Sequence, residues 1–180
     1  MRQGELLGLT WEAIDLEAGT IRVFQQLQRV KRPDGQREFV LQSTKTKSGE
    51  RVLQIDASLV VRLREYRRAQ DEEAELRGAA CKNRLKLVFT TDTGAPIHVS
   101  DLAKHFKSAL GRAKLPPIRF HDLRHTAATL MLADGVPLVT VSKILGHSSP
   151  AITATIYAHA LDSSKASAIA SLAQRLEQAR

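Results

Sequence analysis

Between Thr20 and Gln26 apolar and polar residues alternate, and Ile21, Val23 and the following Leu27 fall on one side of an extended chain. A period of two is that of a strand with one buried face. Pro33-Asp34-Gly35 then reads as a turn, since proline presets φ and glycine accepts the positive φ a tight reversal needs. It leads into a second strand at Glu38–Gln42, and the polar stretch Ser43–Glu50 leads into a third at Val52–Ile55. These runs predict a small three-stranded antiparallel sheet, preceded by a short helix around Gly4–Leu9.

From Ser58 onward the spacing becomes helical, interrupted by the apolar run Leu87–Phe89 and a turn at Thr93-Gly94-Ala95-Pro96. Helix resumes over Ser100–Ala113 and stops at Pro116-Pro117, which cannot continue it. His121–Ala133 is expected to be helical with Leu123, Ala127, Leu130 and Met131 inward, ending at Asp134-Gly135. Helices at Pro137–Leu145, Pro150–Ala160 and Ser163–Gln178 complete the pattern, the last with an apolar stripe of Ile169, Leu172, Ala173 and Leu176. The expected fold class is α+β, a mainly helical domain with a small three-stranded antiparallel sheet.

At 180 residues, with 43% hydrophobic and 26% charged residues, the chain suits one globular domain and excludes a disordered, collagen-like or coiled-coil protein. Charge changes the picture more. A net +8 concentrates in residues 22–51 and 82–125, which favours a polyanionic partner, nucleic acid first and an acidic membrane surface second. By contrast, Arg62–Arg77 mixes arginines with Glu65, Asp71, Glu72, Glu73 and Glu75, as a solvated scaffold helix does. The single cysteine, Cys81, cannot form an internal disulfide. With no apolar run long enough to cross a bilayer, a soluble protein of the reducing cytoplasm is expected.

Four constellations carry possible chemistry. In His121-Asp122-Leu123-Arg124-His125, helical spacing puts His121, Arg124 and His125 on one face, and two imidazoles with a guanidinium are costly to bury without an anion. The spacing also resembles a His-x-x-x-His metal motif with Asp122 as base, but Arg124 on that face repels a dication. The second is Leu145-Gly146-His147, followed ten residues later by Tyr157; Val136–Ile152 is also compatible with a helix-turn-helix. The third is the turn Thr44–Arg51 with Lys45 and Lys47, and the fourth is Arg2-Gln3-Gly4-Glu5-Leu6-Leu7, where Arg2 and Glu5 stand at i and i+3.

Taken together and in this order, these boxes resemble the catalytic domain of the tyrosine recombinases, the phage-integrase family. The resemblance runs from residue 2 to residue 159. It implies Tyr157 as nucleophile, Arg2 and Arg124 as phosphate-holding forks, His121 as the imidazole that shares the tyrosine proton, and His147 as a further donor to the phosphate. It gives Lys45 the role of general acid on the leaving 5′-oxygen, although the turn equally allows Lys47. Glu5 then holds the Arg2 guanidinium in place.

The implied reaction is cutting and rejoining of double-stranded DNA through a 3′-phosphotyrosyl link, with no metal, ATP or other cofactor, no small-molecule substrate and no membrane. The family works as tetramers on DNA, and Ile169, Leu172 and Leu176 suit docking on a neighbour or packing within their own domain. It acts in the cytoplasm on bacterial or phage DNA. Members carry a DNA-clamping domain ahead of the first arginine box, which here begins at residue 2, so residues 1–180 are expected to form the catalytic domain alone. Weak activity, or a DNA-binding remnant without turnover, is the alternative expectation.

Overall fold

The computed structural model describes residues 1–44 and 49–157. They fall into two units, residues 1–121 and those from Asp122 onward. Lys45 and Lys47 lie outside the described residues, as do the expected helix Ser163–Gln178 and the end of Pro150–Ala160.

In the first unit a short helix α1 (Gln3–Leu7) precedes five strands: β1 (Ile14–Asp15), β2 (Thr20–Val23), β3 (Gln25–Lys31), β4 (Arg37–Ser43) and β5 (Arg51–Gln54). The three-stranded antiparallel sheet is present, but its order is β1-β2-β5, and β3 and β4 pair separately as a long hairpin. The expected strand Thr20–Gln26 is therefore divided at Phe24. Val23 pairs with Arg51, whereas Gln25 pairs with Ser43, so the partner changes from β5 to β4 within two residues. Inward alternation survives the switch, and Ile21, Val23 and Leu27 are all buried. The hairpin turns at the expected place, where Gly35 with φ of 84° donates its N–H to the Arg32 carbonyl.

Helix α2 (Ala57–Arg77) starts where the Asp56 carboxylate accepts the N–H groups of Ser58 and Leu59, and stops at Gly78. Its charged face forms the i,i+4 pairs Arg67–Asp71, Arg68–Glu72 and Arg77–Glu73 expected of a solvated scaffold. On the inner side Gln70 accepts from the Trp11 indole and donates to the Val88 carbonyl. Val88 in turn donates its N–H to the Leu9 carbonyl, so the run Leu87–Phe89 is pinned in the core, with Leu87 and Val88 fully buried. Helix α3 (Val99–Arg112) closes this unit.

Among the described residues the second unit contains α4 (Asp122–Ala133), α5 (Leu138–Leu145) and α6 (Pro150–Ile156). Its core is Ala128, Leu132, Val141, Leu145 and Tyr157. Here the expected inward face of α4 is corrected, except at Met131, which packs against this core. Leu123 and Leu130 are 42% and 58% exposed and Ala127 is exposed, while Arg124, Ala128 and Leu132 are buried. The helix is turned by one residue relative to its most apolar stripe. That rotation brings Arg124 inward, where its guanidinium finds a carbonyl acceptor at the end of α5.

Candidate active site

In the first unit the anchor is Glu5, whose side chain is 1% exposed on α1. It closes the start of its own helix by accepting the Arg2 backbone N–H at 2.7 Å, and its Oε1 accepts from Arg2 Nη1 at 2.8 Å. A second guanidinium reaches the same carboxylate from β5: Arg51 donates Nη2 to Oε2 at 2.7 Å and Nη1 to Oε1 at 3.2 Å. Burial alone raises a carboxyl pKa, but the hydrogen bond from Arg51, the Arg2 N–H and the two positive charges outweigh it and hold Glu5 at about 2. Glu5 is therefore ionised at any physiological pH. Arg2 is thus held as expected, with 41% of its side chain exposed.

His121 is exposed, at the last position of this unit and one residue before α4. The lysine turn is described only at its two ends, Thr44 and Gly49. There the Thr44 N–H donates to the Phe24 carbonyl, and the Gly49 carbonyl accepts from Arg51 Nη1.

The second unit gathers Arg124, His147 and Tyr157. Arg124 Nη2 donates to the Leu145 carbonyl, one of the free acceptors that every helix leaves in its last turn. Gly146 then takes a left-handed conformation, φ 68° and ψ 43°, and its N–H and that of His147 return to the carbonyls of Lys143 and Ser142. This helix stop delivers His147, whose Nδ1 lies 2.8 Å from the hydroxyl of Thr153 on α6, itself completely buried. When the Thr153 hydroxyl donates to Nδ1, the imidazole carries its proton on Nε2 and presents a donor there.

Tyr157 follows α6 and is 3% exposed. Its hydroxyl lies 2.8 Å from His125 Nδ1, the two rings 5.8 Å apart. Burial pushes the phenol above its ordinary pKa, and the nearby Arg124 charge opposes that rise. The arrangement suits a nucleophile held protonated until a proton acceptor and a positive field act on it. His125 offers the first and Arg124 the second.

Two residues were absent from the expected site. Helical spacing already groups His125 with His121 and Arg124, but nothing in the chain links it to a tyrosine 32 residues later. Arg51 lies 46 residues from Glu5 and reads in the sequence as one more charge of a basic turn. Among the described residues no group of three or more His, Cys, Asp or Glu is disposed to hold a metal, and no helix is long and apolar enough to cross a membrane.

Comparison with known proteins gives one consistent answer. The chain is 42% identical over 178 residues to a "Tyrosine recombinase XerC-like" protein of Caldanaerobacter subterraneus subsp. tengcongensis, covering 96% of this chain and 46% of the relative. It is 30% identical over 159 residues to the ICEBs1 integrase of Bacillus subtilis (strain 168), covering 88% and 41%. It thus spans less than half the length of these curated relatives. Among solved structures it resembles the Tn1549 transposon integrase in complex with transposon right end DNA, with a TM-score of 0.72 and 25% identity over 93% of this chain and 53% of that one. The fold is also that of the XerA recombinase, with a TM-score of 0.65 and 23% identity over 92% and 52% of the two chains. Residues 1–164 match the model of the phage integrase family, and the chain belongs to that family.

Proposed function

We propose that this chain is the catalytic part of a tyrosine site-specific recombinase or integrase that cuts and rejoins double-stranded DNA. The observation that carries the reading is the buried Tyr157 hydroxyl, 2.8 Å from the His125 imidazole and within the field of Arg124. In the cleavage step the Tyr157 oxygen bonds to phosphorus and the bond from phosphorus to the 5′-oxygen breaks. The phenolic proton passes to an imidazole, and the 5′-oxygen leaves as a hydroxyl after taking a proton from Lys45 or Lys47. His125 is the imidazole in contact with the phenol, while the family resemblance gives the proton-sharing role to His121. Charge that develops on the nonbridging oxygens is met by the guanidinium forks of Arg2 and Arg124 and by a donor from His147.

The 3′-phosphotyrosyl bond conserves the energy of the broken phosphodiester, so attack by another 5′-hydroxyl reverses the step without ATP. The same resemblance supports a tetramer on DNA as the working assembly and the bacterial cytoplasm as its place of action. Bacterial relatives, and a neighbour solved on transposon DNA, support DNA as the partner.

The test is a denaturing gel for a covalent protein–DNA adduct on nicked duplex DNA in chelator. The expected result is an adduct with the wild-type chain and none with Tyr157→Phe, while both bind DNA in a salt-sensitive way. An adduct that survives in Tyr157→Phe refutes the assignment of the nucleophile. DNA binding without any adduct in the wild type identifies a binding remnant instead.

A further inference from the structure

Among the described residues other than glycine, Lys86 and Lys114 alone have a positive φ, 52° and 55°. For Lys86 the fold supplies the reason: its carbonyl accepts the Trp11 N–H at 3.1 Å, and its Nζ lies 2.9 Å from Glu12 Oε1. Lys114 is different. It closes α3, its N–H donating to the Gly111 carbonyl and the next N–H, that of Leu115, to the Leu110 carbonyl. Those bonds need only a backbone, and glycine makes them without strain. The Lys114 side chain is exposed and has no hydrogen bond or ion pair among the described residues. Gly111, one helical turn earlier, shows the opposite mismatch. It lies within α3, where glycine is a poorer helix former than alanine, and a Cβ built there meets nothing within 4 Å. The fold thus favours a side chain at 111 and a glycine at 114, and the chain has the reverse.

Local electrostatics do not account for the lysine. A cation at a helix C-terminus offsets the helix dipole, but Arg112 already stands in the last turn of α3 with helical backbone. Nor does an acidic neighbour along the chain call for it, since between Asp101 and Asp122 the sequence has no carboxylate. We propose that Lys114 and Gly111 form a contact point for a DNA phosphate: Lys114 supplies a compact positive charge, and Gly111 beside it lets the sugar–phosphate backbone come close to the end of α3. The inference rests on the reading of the chain as one that acts on DNA. An acidic membrane surface fits less well, because the apolar side of α3 is turned inward, with Leu110 buried and Phe106 edge-on to Phe120, ring centroids 5.3 Å apart.

The experiment uses the intact chain with Lys114→Gly, Lys114→Gln, Lys114→Arg and Gly111→Ala. Stability is read as the urea midpoint, and affinity for a short random-sequence duplex is measured against salt. Lys114→Gly is expected to raise the midpoint by relieving the backbone, yet to lower the steepness of log K against log salt by about 1, as loss of one phosphate contact does. Lys114→Gln lowers the steepness alike and leaves the midpoint in place, whereas Lys114→Arg keeps the wild-type slope. Gly111→Ala raises the midpoint through helix propensity and weakens DNA binding at every salt concentration, because its methyl group occupies the approach beside the lysine. A residue kept for the fold alone does not give stability and binding changes of opposite sign.

A wild-type slope in Lys114→Gln, undiminished affinity in Gly111→Ala, or a lower midpoint in Lys114→Gly overturns the proposal. Binding to vesicles of phosphatidylserine and phosphatidylcholine that depends on Lys114, with DNA binding that does not, assigns the charge to a membrane and overturns it as well. Failure of the underlying reading looks different. A wild-type chain without salt-dependent DNA binding refutes the DNA reading and this contact with it, whereas a wild-type chain that binds DNA with a slope indifferent to Lys114 refutes the contact alone.

Discussion

Glu5 ties stability to pH in a way that isolates one residue. Its carboxyl falls from an ordinary 4.5 to about 2 on folding, against the opposing effect of burial. A drop of that size contributes about 3 kcal/mol of stability at neutral pH, at about 1.4 kcal/mol per pH unit. Because the folded-state pKa is the lower one, the contribution is complete above the unfolded value of 4.5 and is lost as pH falls through about 2. The side chain is 1% exposed, so solvent screening takes little from this figure. The perturbation is Glu5→Gln, which keeps the shape and removes the charge and its titration.

Urea unfolding of both proteins across the acid range cancels every other titrating group in the difference. That difference in unfolding free energy is expected to be largest near neutrality and to narrow by about 1 kcal/mol between about pH 3.5 and about pH 2.5. A gap that stays constant from neutrality to about pH 2.5 refutes the argument. It shows that Glu5 ionises alike in the folded and unfolded chain, whatever its contacts.

Two further outcomes follow from single contacts. A Cβ on Gly8 falls 2.4 Å from the Leu27 backbone nitrogen and 2.7 Å from the Gln26 carbonyl carbon, so Gly8→Ala must push α1 off β3. It should cost about 1–3 kcal/mol in a urea titration, and an unchanged midpoint contradicts that packing. Thr153→Val removes the hydroxyl that meets His147 Nδ1 and nearly preserves side-chain shape. Adduct formation should slow by about threefold to tenfold, the worth of one neutral hydrogen bond, with DNA affinity unchanged; equal rates show that Thr153 does not set the imidazole.

Much of this protein is written locally in the chain. Turns at Gly35 and Gly146 and the charged face of α2 depend on residues a few positions apart, and they stand where the sequence places them. The pairing of Arg2 with Glu5 is of the same kind, one helical turn apart. These features are legible because backbone conformation and i,i+3 or i,i+4 neighbours are properties of short segments.

The tertiary structure decided what short segments leave degenerate. Alternation over Thr20–Leu27 shows which side is buried but not which strand is the partner, so the switch at Phe24 had no local sign. Helix α4 offers two neighbouring stripes, and spacing alone favours Leu123, Ala127, Leu130 and Met131, the one without a charge, of which Met131 does pack against the core. The fold buries Arg124, Ala128 and Leu132 instead, because the end of α5 provides the Leu145 carbonyl that a buried guanidinium needs. The same rule placed Arg51 on Glu5 and His125 on Tyr157. A polar group enters the interior where a distant partner awaits it, and distance along the chain hides that partner until the chain has folded.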